Sequence, residues 1–245
     1  MASNKSPSFR IIHEKRPASH LISGFSSFGL AGLTAVDYIV DKLAFEQTGY
    51  VKANGFPSIT PFENGTPRHH TRLYTHKDLE LSVLVNEFLI SQWIAEPFGN
   101  AILDWTESNS VDEITVLAGI PVAHEPDEHD IYYVATDDYR ADTLANIDIQ
   151  GMRSGFLDGI NASLIGQGIH SDLRVGILVT PVHQQVPDVS AAIRLIEIVE
   201  RVYDLDIDTK DLEQFASELE KYYQSLEERL QSMEPSEAPE DRMYM

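Results

Sequence analysis

Three groups of residues in this chain carry groups able to do chemistry, and the first is its end, Met243-Tyr244-Met245. A methionine buries apolar area, a tyrosine joins a large apolar ring to a hydrogen-bonding tip, and the free carboxylate suits a lysine or a nest of backbone N–H groups. The triplet is therefore fitted for insertion into a pocket of a partner protein. The second group is the run Gly24-Phe25-Ser26-Ser27-Phe28-Gly29-Leu30-Ala31-Gly32. Backbone N–H groups at a helix start can hold an anion, which makes Gly24, Gly29 and Gly32 a candidate anion-binding turn. The glycine spacing is not that of the dinucleotide fingerprint, and no Lys-Ser/Thr pair follows Gly32 as in a phosphate-binding Walker loop. The plainer reading is that these glycines permit a sharp turn and close packing. The third group is His124-Glu125-Pro126-Asp127-Glu128-His129-Asp130. Its two histidines have no helical register to converge them, and the run reads as a solvated acidic loop rather than a metal site. His69, His70 and His76 offer less, because adjacent strand residues point to opposite faces. No Gly-x-Ser-x-Gly elbow is present. Cysteine is absent, which excludes disulfides, thiolate nucleophiles and Cys-based metal sites. No catalytic residue, metal or cofactor is assigned, and the chain is expected not to be an enzyme.

These groups must be positioned by regular elements. Residues 20–25 read as a buried strand ending in glycine, and residues 29–42 carry apolar positions at helical spacing, so the chain opens strand, Gly-rich turn, helix. Before them, the segment through Pro17 is polar and reads as mobile at its start. Residues 46–72 are rich in glycine and proline, which predicts short strands and loops. Residues 72–76 and 79–86 form a hairpin with Asp78 near its turn. A second helix is expected over 90–109, kinked or broken at Pro97 and Gly99. Residues 113–122 are an apolar run suited to the core of a parallel sheet. Further strands are read at 131–136 and 173–180, and a turn with a tightly packed helix at 151–168. A strong helix spans 189–203, capped by Asp188 or Ser190. A charged helix begins at Thr209 and runs to 232. The alternation of strands and helices predicts one doubly wound, three-layer α/β domain over residues 1–231. Residues 232–245, with two prolines and several acids, read as a disordered arm. Fully extended at about 3.3 Å per residue, that arm reaches about 46 Å.

Asp and Glu number 39 against 18 Lys and Arg, a formal net charge of -21. This charge repels nucleic-acid phosphates and anionic membrane surfaces, so no nucleic acid and no membrane is expected as a partner. The acids are spread along the chain, which favours adaptation to high cytoplasmic salt over recognition of one basic partner. No run of about twenty apolar residues exists, and the first fifteen lack the apolar stretch of a secretory signal. A cytoplasmic location is expected.

Two segments resemble the proteasome assembly chaperone family. One spans residues 21–43, with Gly24, Gly29, Gly32 and Ala35-Val36-Asp37-Tyr38. The other is the glycine-rich stretch 151–168, with Val116-Leu117-Ala118-Gly119 and Val179-Thr180-Pro181 as matching strands. The resemblance implies a fold like the nucleoside phosphorylases and related hydrolases, without catalysis. It also implies that archaeal members form homo-oligomers with hydrophobic-Tyr-any tails that enter pockets between α-subunits of the proteasome core. Carried onto this sequence, Met243 is the hydrophobic residue, Tyr244 the tyrosine and Met245 the carboxylate donor. The acidic loop around Asp127 departs from the family pattern. An alternative is a nucleoside phosphorylase-like enzyme or anion-binding protein that uses the turn from Gly24 to Gly32.

Overall fold

The computed structural model describes residues 7–55, 59–121, 130–183 and 187–216. The chain divides into two units, Met1–Asp208 and Thr209–Met245. In the first unit the chain begins with β1 (Ser8–His13) and β2 (His20–Ser26). A 3-10 turn (Phe28–Leu30) leads into α1 (Ala31–Lys42). There follow β3 (Glu46–Asn54), the small hairpin β4 (Phe62–Glu63) and β5 (Thr66–Pro67), β6 (Thr71–His76), β7 (Leu81–Leu89) and α2 (Gln92–Asn109). The remainder is β8 (Glu113–Ile120), β9 (Tyr132–Ala135), α3 (Asp137–Asp142), β10 (Gln150–Gly151), α4 (Gly159–Ile169), β11 (Arg174–Pro181) and α5 (Val189–Tyr203).

Nine strands form one sheet in the order β1-β3-β6-β7-β2-β8-β11-β9-β10. Its centre, β7, β2, β8 and β11, is parallel. β6, β3 and β1 extend one side by antiparallel pairing, and β9 pairs antiparallel with β11 on the other. The sheet is thus mixed. The parallel centre shows the near-continuous burial expected of strands covered on both faces. β8 has seven buried positions in a row and ends on a half-buried Ile120.

Alternation along the strands assigns the two faces. Leu21 and Phe25 of β2 join a core with Ile114, Val116, Val175, Ile177 and the α2 and α4 residues Ile94, Phe98, Ile102 and Leu164. Gly24, between them, points the other way, toward Gly32 and Val36 of α1. Thr115 of β8 likewise meets Tyr139 of α3 and Tyr203 of α5. Helices therefore cover both faces, α2 and α4 on one and α1, α3 and α5 on the other. Ala35, Val36, Ile39 and Val40 of α1, and Leu195, Ile196 and Val199 of α5, are buried at helical spacing. Each such large aliphatic side chain contributes about 1.5–3 kcal/mol on burial.

At the amino ends of the parallel strands, the buried Glu113 ties several elements together. It accepts from Arg174 Nε (3.2 Å), Tyr203 Oη (3.1 Å) and the Thr143 hydroxyl. Burial pushes the Tyr139 and Tyr203 phenols well above their ordinary range, so both stay protonated and able to donate.

Several expectations change in detail. The N-terminal segment, read as polar and mobile at its start, supplies β1, whose Phe9 and Ile11 are buried. The loops expected over 46–72 begin with a nine-residue strand, β3. α2 runs unbroken through Pro97. α3, six residues rich in Asp, carries no apolar period and is found through its one buried anchor, Tyr139. In the second unit, residues 210–216 are helical, and Thr209 opens them by donating its hydroxyl to Glu213 Oε1 at 2.8 Å. The acidic loop 124–129 and the arm 232–245 lie outside the described residues. Among the described residues, no helix is long and apolar enough to cross a membrane.

Candidate functional site at the carboxyl edge of the sheet

The carboxyl ends of the parallel strands are where open α/β sheets bind ligands, and the glycine-rich turn stands there, between β2 and α1. Each of its glycines is fixed by a close approach. A Cβ on Gly24 would lie 2.3 Å from the Gly32 carbonyl oxygen, and one on Gly32 would lie 2.0 Å from that of Leu117. α1 thus crosses β2 and β8 closer than any side chain allows. Gly29 has a φ of 63°, and a Cβ there would lie 2.9 Å from Val182 Cβ. Leu30, at φ 51°, adopts the same left-handed region as the N-cap of α1. The turn joins strand to helix by this bend and by Leu30 N–H donating to the Ser27 carbonyl (3.1 Å).

Asp188 stands beside the turn. Its Cβ is 3.3 Å from the place of a Gly29 Cβ, and its N–H donates to the Gly29 carbonyl at 2.7 Å. Its carboxylate accepts from the Ala191 N–H (2.9 Å), capping α5, and from His183 through both the backbone N–H (3.0 Å) and Nδ1 (2.8 Å). Burial opposes the charge, but the hydrogen bonds from Ala191 and His183 outweigh it, and the carboxyl is held below the ordinary Asp range. Arg194, in the second turn of α5, donates to Thr180 Oγ1 (3.0 Å) and the Pro181 carbonyl (3.1 Å), clamping the end of β11. An anion held by this turn would share its surroundings with the negative charge of Asp188.

Further along the same edge, a charged network joins α1, β6 and β7. Arg72, 1% exposed, pairs with Glu87 (2.6 Å) and Asp37 (3.4 Å), and donates to Tyr74 Oη (2.8 Å) and the His69 carbonyl (3.1 Å). Arg68 pairs with the same Glu87 at 2.8 Å and with Glu63 of the small hairpin. Burial raises the Asp37 carboxyl above its ordinary value, and the arginines offset only part of that shift. Burial works against Arg72 too, but its hydrogen bond to Glu87 and the neighbouring Tyr74 more than offset it. The His69 ring stacks on Tyr50 at 3.8 Å. The sequence showed these histidines and acids without their spatial neighbours, and nothing in its spacing marked Arg72 as buried.

The structure sets Gly24 against Gly32 and Gly29 against Asp188; Asp188 is readable from the sequence as a cap, whereas His183, which it holds, carries no sequence signal. Met243, Tyr244 and Met245 lie outside the described residues. Among the described residues, no group of three or more His, Asp or Glu is arranged to hold a metal ion.

The sheet, its two helical layers and a glycine-packed turn at the carboxyl edge define a three-layer α/β protein. The chain belongs to the PAC2 family, whose model matches residues 21–227. Its fold is similar to that of Pyrococcus furiosus PbaA, described as an archaeal homolog of proteasome-assembly chaperone. That match has a TM-score of 0.82 and 16% identity over 92% of this chain and 94% of that one. Pyrococcus furiosus PbaB, described as an archaeal proteasome activator, matches with a TM-score of 0.79 and 17% identity over 90% of this chain and 99% of that one. A Thermoplasma acidophilum protein of unknown function is 24% identical, with a TM-score of 0.73 over 89% of both chains. No curated protein sequence matches the chain.

Proposed function

We propose that this chain is a proteasome-binding assembly factor that works without catalysis, in the cytoplasm, by docking Met243-Tyr244-Met245 into pockets between α-subunits of the proteasome core. The observation that carries the reading is the pairing of a PAC2-family body with Met243-Tyr244-Met245, which has the hydrophobic-Tyr-any pattern. PbaA and PbaB, whose folds this chain shares, are described by proteasome assembly and proteasome activation. The three-layer body supports a fold of the nucleoside phosphorylase kind, used here as a scaffold. Two features favour a scaffold over an enzyme. The glycines of the turn are accounted for by packing, and the Asp188 carboxylate by capping α5 and holding His183.

Docking by tail suits a homo-oligomer, because several tails on one assembly raise the effective concentration of each. The test is capture of the proteasome α-subunit by intact chain and by chain lacking residues 243–245, at high salt. The truncated chain should keep its thermal unfolding temperature and lose capture. Capture that survives the truncation overturns the proposal. Assembly and gate control are then separated by whether the chain binds free α-subunits or only completed rings.

A further inference from the structure

We infer that the open edge of β1 receives an extended acidic segment of a partner protein, which joins the sheet as a further strand. The terminal triplet has no part in this contact. β1 ends the strand order, with β3 on one side only. Its register sets Ser8 against Asn54 and His13 against Gly49, and the Glu14 N–H donates to the Thr48 carbonyl at 2.9 Å. Antiparallel strands bond through alternate pairs, so Arg10 and Ile12 bond to β3 and Ile11 turns its N–H and C=O to the open side. Ile11 makes no other backbone hydrogen bond among the described residues. An edge left with such groups is a template for another strand.

Charge names the occupant. The first twenty residues hold Lys5, Arg10, Lys15 and Arg16 against one acid, Glu14, in a chain with 39 acids and 18 bases. Lys15 is paired with Glu46. Arg10 lies directly opposite Lys52 of β3, and both are exposed. Like charges so placed destabilise a strand pair. Their opposite and diagonal neighbours across the two strands are Ser8, Ile12, Tyr50 and Asn54, none of them acidic. Among the described residues neither cation has an ion pair. A strand added to β1 lies about 4.8 Å beyond it, where a carboxylate reaches Arg10 and offsets the repulsion from Lys52. A second copy of this chain, paired edge to edge, would bring the same cations together and add to that repulsion. Nucleic acid is opposed by the net charge of -21.

The other face of β1 sets the rest of the pattern. Phe9 and Ile11 are buried there with α2 residues, and the Phe9 ring lies 4.9 Å from that of Phe98. A strand alongside must therefore alternate, with acids on the side of Arg10 and apolar residues on the side of Phe9 and Ile11. In such strand addition the main chain supplies affinity and the alternate side chains supply specificity.

The probe is a fluorescein-labelled peptide of alternating glutamate and valine, titrated by anisotropy against the full-length protein. It should bind, and a lysine–valine peptide should not. Arg10→Glu should weaken binding about tenfold, and Lys52→Glu by less. Lys77→Glu, the same charge change in the turn between β6 and β7, should leave binding unchanged. All three side chains are exposed, so the variants should fold, which thermal unfolding checks. The peptide N-methylated on its backbone amides keeps its charge but loses its strand donors, and should not bind. At saturation with the unmodified peptide, the Ile11 N–H should exchange with solvent more slowly by NMR. Four results each overturn the inference: no binding of the glutamate–valine peptide, equal binding of its N-methylated form, equal losses in Arg10→Glu and Lys77→Glu, or tighter binding of a single-stranded DNA of the same charge. Removing residues 243–245 should leave peptide binding unchanged, so failure of tail docking and failure of this contact are read separately.

Discussion

At the scale of the residue, two buried charges have measurable consequences. Arg72 is held by Glu87, Asp37, Tyr74 and the His69 carbonyl. Arg72→Met should leave Glu87 with Arg68 alone and cost about 2–3 kcal/mol in denaturant unfolding, somewhat under the cost of breaking a fully isolated buried pair. Asp188 is the second. Its folded carboxyl lies below the ordinary value of 3.8, so the folded state prefers it ionised. That contribution is whole above the unfolded value and is lost as pH falls through the lower, folded one. Asp188→Asn should therefore lower the melting temperature by a steady amount above about pH 5, and the gap should close in more acid solution. Neither role was fully legible in the sequence. Asp188 was readable as a cap because it directly precedes an apolar period. Its bonds to His183 and its approach to Gly29 depend on β11 and the turn meeting at one edge. Arg72 sits in a hairpin whose pattern shows which face it shares, but its pairing with Asp37 of α1 joins residues 35 apart in sequence.

At the scale of the element, the strand–turn–helix opening was legible because hydrophobic period and glycine placement agree. Reading the glycines as close-packing residues was sound, and their partners were not available from sequence. Gly32→Ala would set a methyl 2.0 Å from the Leu117 carbonyl oxygen, backbone against backbone. It should destabilise the fold by about 3 kcal/mol or more, at the upper end of overpacking costs, with the loss measured by urea unfolding. The elements that escaped notice fall into two kinds. β1 and β3 hold charged residues on the exposed face and pair with each other, Ser8 opposite Asn54, at the far edge of the sheet. Such half-exposed strands alternate weakly and look like loops. α3 is too short to express a period at all, and Tyr139 alone fixes it by filling the space over Gly176 and reaching Thr115.

At the scale of the whole molecule, a net charge of -21 works against compactness, and salt relieves it. The Debye length falls from about 10 Å at 0.1 M to about 3 Å at 1 M. The melting temperature should therefore rise with added KCl over that range, and the rise should shrink in variants that exchange exposed Asp or Glu for Gln. A melting temperature that falls with salt would contradict the reading of the acidity as salt adaptation. The end of the first unit also has a mechanical meaning. Beyond α5, the Ile207 N–H donates to Glu200 Oε1 at 2.7 Å, and Tyr38 Oη of α1 donates to the Asp208 carbonyl at 2.7 Å. A pull applied to the C-terminus is thus delivered to the body at Ile207 and Asp208, and shared between α5 and α1, the two helices packed against each other on one face. Because α1 lies on β2 and β8 and α5 lies on β11, that load passes through the two helices to the parallel centre of the sheet, so the body is moored for traction from its end.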